Sequence, residues 1–262
     1  IDFLIKQKAM SILVTNMQHF LHEPQTLLRI GDVVSACIQN SSKLHEQFVE
    51  ADGVNTCLDA FKNNNDMPTV VRPMGTVLMG ATIYDKAKQA IGETEGITLL
   101  CDTLNKYLDE QRRDELICQR CIQILSHVAT CSTYIHNIID EDVIVLLVSA
   151  ISLFEMNADL TYATYMLLHY ICTCSEGTKA ALDEEELLPL MIKRMYLFLD
   201  NAEVESAAFA AFSSMFLEKV NGEKICENCM KMEESLNLLT IIKRILKINE
   251  KESIVMETAT LC

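Results

Sequence analysis

The stretch Cys121–Thr130, read C-I-Q-I-L-S-H-V-A-T, places apolar side chains at Cys121, Ile122, Ile124, Leu125, Val128 and Ala129, with polar residues between them. At helical spacing those residues paint one broad stripe. A related pattern returns roughly every 40 to 47 residues, and self-similarity at that period is the signature of a stacked helical solenoid. One such unit cannot bury its apolar face alone, so its neighbours must cover it.

The repeated unit has three parts. Residues 1–42 hold a short amphipathic start, a helix over Met10–His22 broken at Glu23-Pro24, and a longer helix over Leu27–Ser42. Residues 43–84 repeat the order as Lys43–Ala51, Val54–Lys62 and Pro68–Tyr84, and residues 85–130 as Asp85–Thr94, Gly96–Tyr107 and Glu115–Thr130. The units 131–174 and 175–217 follow, and 218–262 opens a long helix at Glu252–Leu261 that the sequence does not complete. The expected organisation is a single all-α array over 1–262, cut from a longer chain. Pro68 suits a first-turn position. Pro73 lies inside the third-helix pattern, so that helix either kinks or begins there.

The junction between first and second helices repeats most clearly. Val49-Glu50-Ala51-Asp52-Gly53-Val54, Ile91-Gly92-Glu93-Thr94-Glu95-Gly96-Ile97, Ile138-Ile139-Asp140-Glu141-Asp142-Val143 and Leu182-Asp183-Glu184-Glu185-Glu186-Leu187 each run apolar, acidic, bend, apolar. Gly at the bend would supply a backbone conformation costly for other residues. Asp142 and Glu186 stand where Gly is expected, so those bends should differ.

Composition narrows the function classes. Half the residues are apolar but only 6% aromatic, with no Trp, which suits aliphatic helix-on-helix packing. The net charge of −15 repels phosphate backbones and argues against nucleic acid. Eleven cysteines, an odd number set mostly in apolar runs, read as reduced core residues of a cytoplasmic or nuclear protein. No run has the length of a membrane span.

With these motifs the chain resembles the armadillo-repeat family. The first-helix ending F-V-E-A-D-G, the second-helix segment L-L-P-L-M-I-K-R-M (Leu187–Met195) and the third-helix segment C-I-Q-I-L-S-H-V-A (Cys121–Ala129) carry the resemblance. It implies a right-handed superhelical solenoid whose third helices line a concave groove. It implies also a non-catalytic protein–protein interaction scaffold that binds extended peptides or larger partners there. In importin-alpha-like members each third helix carries Trp and Asn four apart. The matching positions here are Ala36, Thr76, Gln123, Met166 and Ala210, then Asn40, Gly80, His127, Tyr170 and Ser214, so only Asn40 survives. Basic nuclear-localisation peptides are therefore not expected partners.

The groove reading selects Asp32, Asn40, Arg72, Gln119, Gln123, His127, Tyr162, Met166 and Tyr170. Tyr and Met offer large, adaptable contact area. The alternative is that these residues pack on neighbouring repeats or face water. Lys193-Arg194 and Lys243-Arg244 recur at one place in the second helix and suggest an outward basic ridge for an acidic partner, against the plainer reading of a solvated face. Two Cys-x-x-Cys pairs, Cys118/Cys121 and Cys226/Cys229, lie in different repeats, which a solenoid keeps apart, so core packing is favoured over metal. His19 and His22, and His127 with Cys131, lack further ligands, so no metal or cofactor is expected. No phosphate-binding loop, dinucleotide fingerprint or nucleophile elbow occurs, so no enzymatic activity is expected. Two further readings stand beside the scaffold: a structural component of a cytoskeletal or ciliary, axonemal assembly, and a regulatory armadillo domain of a larger protein.

Overall fold

The computed structural model describes residues 1–217, with the side chains of 216 and 217 left aside. The expected sixth repeat, the Lys243-Arg244 doublet and the Cys226/Cys229 pair lie outside the described residues. Those described are all helical, without strands. The helices fall in successive triplets: α1 to α3 (Asp2–Lys6, Ala9–His19, Pro24–Asn40), α4 to α6 (Ser42–Glu50, Gly53–Asn63, Pro68–Ala81) and α7 to α9 (Asp85–Gly92, Gly96–Leu108, Glu115–Ala129). Next come α10 to α12 (Ile135–Ile139, Val143–Leu153, Ala158–Ile171), with a 3-10 turn over Ser132–Tyr134 before α10, and α13 to α15 (Ser175–Asp183, Leu187–Leu197, Ala202–Leu217).

The chain divides into two compact units, Ile1–Cys131 and the part beginning at Ser132. In the first unit the third helices α3, α6 and α9 pack side by side, and α5 and α8 each pack on the third helix of their own triplet. In the second, α12 packs along α15, with α11 and α14 behind them. The cores are the apolar stripes read from the sequence. Ile117, Cys118, Cys121, Ile122, Ile124, Leu125 and Val128 of α9 are buried. Burial pushes the Cys118 thiol up to about 12 and raises that of Cys121 well above its ordinary value, so neither is a ready thiolate at neutral pH.

Helix starts follow local chemistry. Ser41, Asp114 and Asn157 cap α4, α9 and α12 by accepting from the Leu44, Ile117 and Leu160 amides. Pro68 begins α6, and that helix runs through Pro73 instead of beginning there. The bends also differ from expectation. Among the described residues no glycine has a positive φ; Asp52 (φ 63°) and Asp142 (φ 51°) take the left-handed conformation themselves. Asp142 therefore matches Asp52, and its bend is like that one, while Glu186 stays right-handed. Gly53 is needed for space: a Cβ there would lie 2.3 Å from the buried Phe48 ring.

Neighbouring triplets are tied by side chains reaching one repeat back or forward. Asn64 donates to the Leu21 carbonyl at 2.8 Å and Tyr107 to that of Asn65 at 2.9 Å, 43 and 42 positions away. In the second unit Arg194, 1% exposed, donates through Nε and Nη2 to the Ile151 carbonyl at 3.0 and 2.6 Å, 43 positions away. Asn64, Tyr107 and Arg194 all stand at or near the end of a second helix, α5, α8 and α14. Arg194 is thus a buried tie and not part of an outward ridge. Only Lys193 of that doublet is exposed, 3.4 Å from Glu155.

Candidate functional site

Each third helix buries one side and leaves a strip open. In the first unit the strip on α3 carries Asp32, Ala36 and Asn40, all exposed, and the Asn40 amide donates to its own helix at the Ala36 carbonyl. On α6 it carries the exposed Arg72 and the half-buried Thr76. Arg72 holds Asp114 through Nε at 2.8 Å and Nη2 at 2.7 Å. The pair ties α6 to the α9 cap, since Asp114 is the cap residue.

On α9 the open strip runs Leu116, Arg120, Gln123 and His127. Gln119, expected in the groove, is only 8% exposed; the residue in its place is Arg120, whose Nη1 donates to Gln123 Oε1 at 2.7 Å. Gln119 lies four residues before Gln123, whereas the open strip steps back three, to Arg120. Both spacings keep a helix face, and only the burial of Gln119 separates them.

His127 is half-buried, and its Nδ1 lies 2.6 Å from Thr82 Oγ1. The Thr82 hydroxyl donates its one proton to the Met79 carbonyl at 2.8 Å. His127 Nδ1 must then be the donor, leaving Nε2 as the acceptor. Burial, with Lys88 nearby, holds the His127 pKa below its ordinary value, so the ring is neutral at physiological pH. In the second unit His169 on α12 does the same, its Nδ1 3.1 Å from the Ala210 carbonyl and 2.7 Å from Ser214 Oγ. Sequence inspection missed these inter-helix bonds. The 45-residue separation of His169 from Ser214 and of His127 from Thr82 was the available signal.

The second unit's strip brings together Tyr162, Met166 and Tyr170. Tyr162 is 40% exposed, and Met166 and Tyr170 are half-buried. Tyr170 tilts against the His169 ring at 5.0 Å. Burial first, then Glu203 and Tyr170, raises the Tyr162 phenol pKa, so α12 and α15 present a small aromatic and acidic patch. The strips differ in charge: the first unit's carries the exposed Asp32 and Arg72 with the half-buried Arg120, the second's the exposed Asp159 and Glu203.

The first unit carries clefts on its second and on its third helices. One of about 710 Å³ runs between α5 and α8, on the second helices, and holds the exposed Lys62–Glu95 pair at 2.8 Å. Screened surface pairs of that kind contribute little. The other, about 640 Å³, lies at the start of α6 beside Arg72. Among the described residues no cluster of three or more His, Cys, Asp or Glu has metal-holding geometry, and no helix is long and apolar enough to cross a membrane.

No protein-family model matches the chain, and no curated protein matches it in sequence. A solved beta-catenin structure, from work on a phosphorylation switch controlling the interaction between cadherin and beta-catenin, superposes with a TM-score of 0.72 at 13% identity. The match covers 95% of this chain and 44% of that one, so this chain spans less than half of its neighbour's length. At that identity the likeness is one of fold, and the fold is armadillo-like.

Proposed function

We propose that the protein is a non-catalytic scaffold that binds partner proteins on the open strips of its third helices. The observation that carries this reading is the exposure pattern of those helices. Tyr162, Met166 and Tyr170 keep large side chains at the surface of a helix whose other faces are buried. Tyr is over-represented at interface hot spots, and Met is enriched in interfaces. The armadillo-like neighbour, whose structure comes from work on its interaction with cadherin, supports the same general role. The partner on the second unit is a protein segment with apolar or basic groups, because the patch around the tyrosines carries Asp159 and Glu203.

The test is the double variant Met166→Ala/Tyr170→Ala in the full chain. Partner affinity should fall by about 2 kcal/mol or more, as hot-spot truncation does, while the fold survives because both side chains are only half-buried. Unchanged affinity in a folded double variant would remove the second unit's strip from the docking surface. An early melt without specific loss of binding would make these residues packing residues.

A further inference from the structure

The cleft at the start of α6 concentrates positive charge in a protein of net charge −15. Arg72, Arg112 and Arg113 line it with Asp66, Asp114 and Tyr107. The carboxylates are already engaged. Asp114 accepts from Arg72 and from the Ile117 amide. Asp66 is shared between Lys106, at 2.7 Å, and Arg112. Those two cations hold the Asp66 carboxyl below its ordinary range, Lys106 first. Arg113 has no ion-pair partner among the described residues.

Three guanidiniums present more N–H donors than two carboxylates accept, each guanidinium offering five in a fixed fork. What is unmatched in the cleft is an oxyanion with several acceptor positions.

We propose that this cleft is an oxyanion subsite, which takes the carboxylate or phosphoryl group of a protein segment docked on the open strip of the first unit. The inference rests on the reading of that strip as a docking surface, because Arg72 belongs to both. The chain's overall negative charge disfavours nucleic acid as the source of the oxyanion. Asp66 and the incoming anion compete for Arg112. Asp66 thereby sets the threshold: it fills the fork when no partner is present and must be displaced from it by the incoming oxyanion.

The test uses the full chain, labelled with ¹⁵N, and follows arginine Nε–H and backbone amide signals. The probes are inorganic phosphate, acetylated and amidated Gly-phosphoserine-Gly, and the same peptide with Glu in the middle. Saturable shifts should be confined to Arg72, Arg112, Arg113 and the segment 109–115. Arg112→Gln/Arg113→Gln should weaken binding about tenfold or more, the loss expected for charge-assisted hydrogen bonds. Asp66→Asn should tighten it several-fold, a gain that a misfolded variant cannot mimic. Tighter binding of the phosphoserine peptide names a phosphoryl source, and equal binding names a carboxylate. Shifts that fail to saturate, that spread over lysines and arginines elsewhere, or that persist in Arg112→Gln/Arg113→Gln overturn the subsite. Phosphate binding needs no partner, so its failure is separable from failure of the docking strip, which a partner's footprint on α3, α6 and α9 reads independently.

Discussion

At the scale of single residues, the polar groups inside the second unit say most. Glu205 on α15 is 0% exposed, and neither carboxyl oxygen has a hydrogen-bond partner. Burial raises its pKa to about 8. The unfolded chain ionises this carboxyl in the ordinary range near 4.5, the folded chain only near 8. Its contribution to stability is therefore full below the ordinary range and is lost as pH rises through that window, a change on the order of a few kcal/mol. Glu205→Met should raise the melting midpoint at pH 8.5 and flatten the fall between pH 5 and pH 8.5. Parallel pH profiles for both proteins would contradict the assignment. Arg194 is the converse case, a buried cation with its carbonyl acceptor in place. Arg194→Ala should be strongly destabilising, by about 2 kcal/mol or more, because it empties a packed site and leaves the Ile151 carbonyl without this donor; an urea titration would read it.

At the scale of elements, the triplet order and the apolar stripes were legible because a 3.6-residue period survives in each helix. The stripe at Cys121–Thr130 is buried as its spacing implies. What was not legible is register within a step. Lys193 and Arg194 are adjacent, so they point about 100° apart on a helix; one reaches water and the other the preceding triplet. Gln119 and Arg120 were confused for the same reason. The bends misled differently. A glycine in a turn suggests a positive φ, but Gly53 is there because Phe48 leaves no room for a Cβ, and Asp52 carries the positive φ. Gly53→Ala should therefore destabilise by about 1–3 kcal/mol through overpacking, although its own backbone is compatible with alanine. Thermal denaturation showing a neutral or stabilised Gly53→Ala would return the bend to a conformational explanation. Asp114→Ala should cost about 1 kcal/mol or more, since it removes the α9 cap, and it also frees Arg72 from its ion pair. Amide exchange at Ile117 and Cys118 would show the fraying.

At the scale of the whole molecule, the repeats pointed to stacked helical triplets, and the fold is armadillo-like. The candidate surface was half legible. Asp32, Asn40, Arg72, Gln123, Tyr162, Met166 and Tyr170 all keep exposed or half-exposed positions on third helices, while Gln119 is buried and His127 is committed to Thr82. Inter-helix hydrogen bonds of this kind depend on distances between repeats, which no single helical period encodes. The most direct measurement places a photo-crosslinking residue in the full chain at Gln123 or Tyr162 on third helices, and at Asp59 or Lys193 on second helices. With a purified partner, crosslinks should form from Gln123 and Tyr162, and the Tyr162 crosslink should weaken in Met166→Ala/Tyr170→Ala. Crosslinks formed only from Asp59 and Lys193 would contradict the account and move binding to the second helices.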